Sequence, residues 1–68
     1  MDKYAELFIN SWREGNPKVY RQWKREGVLE QKALEASEKV KETVGTLVEQ
    51  GLDLYEAQET AYQMHIYP

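Results

Sequence analysis

The chain contains no cysteine, so it forms neither a disulfide nor a thiolate metal site. Its single histidine, His65, cannot build a zinc site without several carboxylates arranged around it. The longest uninterrupted apolar run covers only residues 7–9, which is far too short to cross a bilayer. We therefore expect no metal, no cofactor and no membrane-spanning segment.

The sequence also lacks a strong excess of either charge. The formal net charge is −3, and a negative total opposes general affinity for nucleic-acid phosphates. The N-terminal residues include no basic stretch followed by an apolar segment, so we expect no signal peptide. The missing cysteines are compatible with a reducing compartment, and we predict a cytoplasmic protein.

One stretch has a strong apolar period, and the rest of the chain is organised around it. Apolar residues recur every three or four positions between 29 and 47, which predicts an amphipathic helix over about 28–50. The positions in this stripe are Leu29, Ala33, Ala36, Val40, Val44 and Leu47. Leu34 lies outside the stripe. Gly45 lies within the helix on the side away from the stripe, where it marks a bend or a close approach of another backbone, or is merely tolerated.

The few glycines and prolines divide the remaining sequence into three shorter helices, over about 2–13, 17–26 and 53–66. Asp2, Asn16 and Asp53 are suited to cap their N-termini, and Asp53 with Glu56 forms a capping-box pattern. We expect glycines 15, 27 and 51 to end the preceding helices, with Gly15 in the left-handed conformation. The predicted fold class is all-α, a single-domain bundle of about four helices in residues 1–68 with one long central helix.

Enzymatic patterns are absent from the sequence. There are two serines, the single histidine has no patterned acidic partner, and the four glycines do not form a phosphate-binding loop. We predict a non-enzymatic accessory or regulatory protein, with no catalytic, cofactor-binding or metal-binding residues.

Surplus apolar residues predict a partner-binding surface. On the last helix, Leu54, Ala57, Ala61 and Met64 form one stripe that we assign to the core. Tyr55, Tyr62 and Ile66 form a second stripe, which is either a wider core contact or an interface, since tyrosine is enriched at interfaces. We assign Tyr55, Tyr62, Ile66 and Leu34 to contact with another protein or a second copy, as in a homodimer. Leu7 is a further exposed apolar candidate on the first helix.

A nucleic-acid-binding module is the alternative. Residues 1–32 carry seven basic and five acidic side chains, and the second helix contributes most of the bases. The candidate phosphate contacts are Lys18, Arg21, Lys24 and Arg25. Trp23 lies on the opposite helix face and is expected in the core. The competing interpretation is that the basic side chains form ion pairs with acidic side chains of the long helix. Nucleic acid is therefore the less favoured partner.

Overall fold

The computed structural model describes residues 1–68 and consists of four helices without any strand. They are α1 (Lys3–Gly15), α2 (Pro17–Glu26), α3 (Leu29–Glu49) and α4 (Leu54–His65). The 21-residue α3 contacts each of the other three helices. The predicted all-α bundle around one long helix is thus confirmed.

Side-chain caps explain where three of the four helices begin. The Asp2 carboxylate accepts a hydrogen bond from the Ala5 amide at 2.9 Å. The Asn16 side chain accepts one from the Val19 amide at 3.3 Å, and Asp53 accepts one from Glu56 at 2.9 Å. These three caps satisfy amides that have no partner within their helices.

Two of the three helix-ending glycines behave as predicted. Gly27 and Gly51 follow α2 and α3 with φ of 72° and 101°, where an L side chain is strained. The prediction for Gly15 was wrong, because Gly15 is the last helical residue of α1 and is not left-handed, and the C-cap is Asn16, whose φ is −149°. A Cβ at Gly15 would lie 2.7 Å from Pro68 Cγ, so glycine there allows the final residue to approach α1.

The core is small and rich in alanine. Eight apolar side chains are buried, and five of these residues are alanines: Ala5, Phe8, Ala33, Ala36, Val40, Ala57, Ala61 and Ile66. Alanines on both α3 and α4 allow the two backbones to approach closely. Leu54 and Met64 were predicted to share this face, but their side chains are 58% and 62% exposed. Ile66, just past the end of α4, fills the core instead.

An aromatic cluster joins α1 and α2. The rings of Trp12 and Trp23 have centroids 4.7 Å apart, and Phe8 stacks on Trp23 at 5.9 Å. The Trp12 indole donates a hydrogen bond to the Ile66 carbonyl at 2.7 Å, which ties the end of the chain to α1. Leu7 is half-buried against the core, so its predicted exposure is wrong.

The start of α1 is attached to the middle of α3. The Ser37 hydroxyl donates a hydrogen bond to Asp2 Oδ2 at 2.6 Å, and Lys41 Nζ lies 2.8 Å from the same oxygen. From this point α1 runs toward the N-terminal half of α3, since Phe8 stacks on Trp23 and Lys32 Nζ lies 5.2 Å from the Trp23 ring. The last two turns of α3 therefore lie beyond the start of α1.

Candidate functional site

The four residues predicted to bind a partner do not form one surface. Tyr55 is 80% exposed and Leu34 is 44% exposed, Tyr62 is half-buried, and Ile66 is fully buried. The assignment of Ile66 to an interface was wrong because α4 ends at His65 and the chain then turns Ile66 toward the core beside Trp12.

Tyr62 forms part of the contact between α1 and α4. Its ring centroid lies 6.1 Å from that of Tyr4 and 6.2 Å from that of Tyr67. Burial, reinforced by the neighbouring Tyr4, Tyr67 and Glu59, raises the pKa of the Tyr62 hydroxyl above its usual value. Most of the Tyr62 ring is thus already occupied within the molecule.

Leu34 is remote from Tyr55. It precedes Val48 by fourteen residues on α3, which corresponds to about 21 Å along the helix. The depression around Leu34 is lined only by side chains of α3: Glu30, Gln31, Leu34, Glu35 and Glu38. A surface without walls from a second element does not enclose a ligand, and single exposed leucines are common on soluble proteins.

Three of the seven exposed large hydrophobic residues lie where α3 and α4 meet. Val48, Leu54 and Tyr55 are 43%, 58% and 80% exposed. Val48 lies in the last turn of α3, while Leu54 and Tyr55 begin α4 after a four-residue connection. We call these three residues the hairpin tip. Of these three, Tyr55 was predicted as a contact residue from the sequence. Leu54 was assigned to the core stripe of the last helix, and Val48 was not predicted to have any role.

Helical periodicity shows which way the hairpin tip faces. Val48 follows Ser37 by eleven residues, or about three turns, so both lie on one side of α3. Tyr55 precedes Tyr62 by seven residues, or about two turns, so both lie on one side of α4. Ser37 and Tyr62 are the residues that meet the start of α1. Val48 and Tyr55 therefore lie on the same sides of α3 and α4 that contact α1, beyond the point where α1 begins. We call the strip of surface between these two side chains the groove.

The surroundings of the hairpin tip are acidic. Residues 42–68 include no lysine or arginine and five acidic side chains: Glu42, Glu49, Asp53, Glu56 and Glu59. All five residues are exposed, and the Asp53 side chain also caps α4. The nearest basic residue along the sequence is Lys41, which is engaged with Asp2.

The basic face of α2 is exposed and free of ion pairs. Lys18, Arg21, Lys24 and Arg25 all point to solvent, and Lys41–Asp2 is the single salt bridge of the molecule. The alternative that these bases pair with acids of α3 is therefore wrong. Lys24 Nζ lies 5.9 Å from the Tyr20 ring, whereas Trp23 stacks within the aromatic cluster, as its position on the opposite face predicted.

Other kinds of site have little support. A cleft of about 230 Å³ lies over Phe8, Trp12 and Trp23, below the roughly 300–1,000 Å³ typical of small-molecule pockets. The depressions around Leu34 and beside Tyr20 are larger, at about 410 and 480 Å³, but each is lined by a single helix and cannot enclose a ligand. No group of three or more histidine, aspartate or glutamate side chains is arranged to hold a metal ion. None of the four helices combines the length and the apolar character needed to cross a membrane.

Comparison with known proteins adds no functional assignment. The sequence matches no protein-family model, and searches of curated proteins and of solved structures find no match.

Proposed function

We propose that this chain is a protein-interaction module that binds another protein through its hairpin tip. The observation that carries the proposal is Tyr55, a large aromatic side chain that is 80% exposed beside Leu54 and Val48. Tyrosine contributes disproportionately to binding free energy at interfaces, because its ring provides contact area at a small entropic cost. The cytoplasmic location and the non-catalytic role belong to the same proposal.

The architecture supports a rigid recognition surface. Tyr55 lies on a helix whose first turn is capped by Asp53 and whose inner face packs through Ala57 and Ala61. A side chain held on a capped and packed helix loses little conformational freedom on binding. The groove beyond α1 is suited to an additional helix, since amphipathic helices commonly bind in grooves between two others.

The test is a selection of binders from a displayed library of protein fragments, followed by titration against variants of the full chain. We expect Tyr55→Ser to weaken such binders at least tenfold, because the side chain is a central contact. Leu34→Ser is the matched control, since it removes another exposed apolar side chain far from the hairpin tip. Binders that are insensitive to Tyr55→Ser, or no binder at all, would contradict the proposal.

A second candidate function is nucleic-acid binding by the basic face of α2. The specific observation in its favour is that Lys18, Arg21, Lys24 and Arg25 have no acidic partner within the chain. Fluorescence anisotropy with a labelled duplex and a labelled single strand at low salt tests it. Binding that Arg21→Glu abolishes would support this candidate, and no binding at tens of micromolar protein would eliminate it, since nonspecific binders reach about 10⁻⁴–10⁻⁶ M.

A further inference from the structure

The shape and charge of the groove at the hairpin tip indicate which kind of partner it binds. We infer that it binds a basic amphipathic helix of a partner protein, lying in line with α1. This inference rests on the proposed function and specifies the chemistry of the partner. It follows from three observations: where α1 begins, what α3 and α4 expose beyond that point, and which charges surround the opening.

The groove begins where α1 begins, at Asp2. Asp2 caps α1 and also binds Ser37 and Lys41, so the first helical turn is held beside the middle of α3. Beyond Lys41, α3 continues for eight residues to Glu49, or about 12 Å. Met1, which is 59% exposed, precedes Asp2 at this end. The remaining length corresponds to between one and two turns of another helix beside α3 and α4.

The second observation concerns shape and apolar contacts. Tyr62 is covered by Tyr4 of α1, whereas Tyr55, two turns away on the same face, has no such cover. A helix in line with α1 would cover Tyr55 in the way that α1 covers Tyr62. It would need apolar residues spaced by three or four positions, facing Tyr55 and Val48.

The third observation is the charge around the opening. Residues 42–68 carry five acidic and no Lys or Arg side chains. A partner helix with lysines or arginines beside its apolar stripe would meet complementary charge, which favours rapid association and the correct partner. The same acids disfavour a second copy bound tip to tip, because two such surfaces would place like charges together.

The experiment uses the full chain and two synthetic helical peptides with the same apolar stripe. One carries lysine and arginine on its polar faces, and the other carries glutamate. We expect the basic peptide to bind at least tenfold more tightly, and more weakly as salt rises, because exposed charges are screened. Chemical-shift changes in the labelled chain should be confined to residues 44–59. Equal binding of the two peptides, or changes centred on α2 or Leu34, would overturn the inference.

Variants separate charge from apolar contact. Glu49→Lys combined with Glu59→Lys should weaken binding of the basic peptide about tenfold and strengthen that of the acidic peptide. Glu30→Lys combined with Glu35→Lys changes the net charge equally, at a distance from the groove, and should have less than a threefold effect. If the two pairs have equal effects, general electrostatic attraction explains the binding and the inference is wrong.

The remaining outcomes distinguish the inference from the proposed function. If neither peptide binds but library-selected binders lose affinity with Tyr55→Ser, the inference fails and the proposed function stands. If no binder depends on Tyr55, both fail. If light scattering shows a dimer that Tyr55→Ser dissociates, the occupant is a second copy and the basic-helix inference is overturned.

Discussion

At the scale of single residues, Gly45 is a helix position where glycine has no structural task. A Cβ added there would meet no atom within 4 Å, and the residue is exposed in the interior of α3. We expect Gly45→Ala to stabilise the fold by about 1 kcal/mol because it removes the entropic cost of glycine in a helix. In thermal unfolding this corresponds to a rise in Tm of roughly 4–8 °C.

Gly27 and Gly51, which follow the ends of α2 and α3, provide matched controls for Gly45. Gly27→Ala and Gly51→Ala place a side chain at φ of 72° and 101°, where L residues are strained by roughly 1–2 kcal/mol. Both should lower the Tm. A destabilising Gly45→Ala would mean that this glycine does mark a bend or a close contact, the alternative that its position in the sequence left open.

Asp2 gives folding stability a pH dependence. Hydrogen bonds from Lys41, Ser37 and the Ala5 amide hold the pKa of its carboxyl well below the usual range. Because the folded-state pKa is depressed, this stabilisation is complete above the ordinary aspartate pKa of about 4. It is lost as the pH falls below 4 toward the lowered folded-state value.

The test of Asp2 is urea unfolding between pH 2.5 and 7. Asp2→Asn retains an N-cap but removes the charge, so its stability should change less between pH 4 and 2.5 than that of the wild type. Asp2→Ala also removes the cap and should be less stable than Asp2→Asn at pH 7. Identical acid dependence in Asp2→Asn and the wild type would show that the carboxylate has no such role.

At the scale of helices, the close contact of α3 and α4 depends on alanine. Ala61 is fully buried within the core cluster. We expect Ala61→Leu to destabilise the fold by roughly 1–3 kcal/mol, because overpacking forces side chains out of their preferred rotamers. Thr60→Leu, on the exposed side of the same turn, should change the midpoint of urea unfolding little. Tolerance of Ala61→Leu would indicate a looser contact between the two helices.

The same packing explains how far the sequence could predict each helix. The stripe on α3 has six apolar positions at regular spacing, and Ala33, Ala36 and Val40 are buried as expected. On α4 the larger side chains suggested a core face, but close approach to α3 favours the small ones. Leu54 and Met64 therefore point outward, a result that depends on the distance between the helices and not on periodicity alone.

The candidate site depended even more on tertiary contacts. Tyr55 and Tyr62 have the same residue type and lie on the same helix face, so the sequence could not separate them. The hydrogen bond between Asp2 and Ser37, 35 residues apart, fixes the position of the start of α1 along α3. That position determines which of the two tyrosines α1 covers. The exposure of Leu34 was predicted correctly, but its distance from Tyr55 was visible only in the fold.

At the scale of the whole molecule, the exposed hairpin gives an elongated shape. The dimensions are 41 × 18 × 15 Å and the radius of gyration is 12.5 Å. A compact chain of this length has a radius of about 11 Å. The difference agrees with the ends of α3 and α4 extending beyond the start of α1. The acidic residues 42–59 lie at this end of the molecule, and the basic face of α2 lies toward the other.

The start of α1 covers Tyr62 and leaves Tyr55 exposed, and the binding surface proposed here depends on that difference. Nitration of tyrosine with tetranitromethane, resolved by mass spectrometry of proteolytic fragments, measures this in the native full chain. We predict that Tyr55 reacts first among the five tyrosines and that Tyr62 is among the slowest. The rate for Tyr55 should not depend on protein concentration. Protection of Tyr55, or reaction of Tyr62 as fast as Tyr55, would contradict the account.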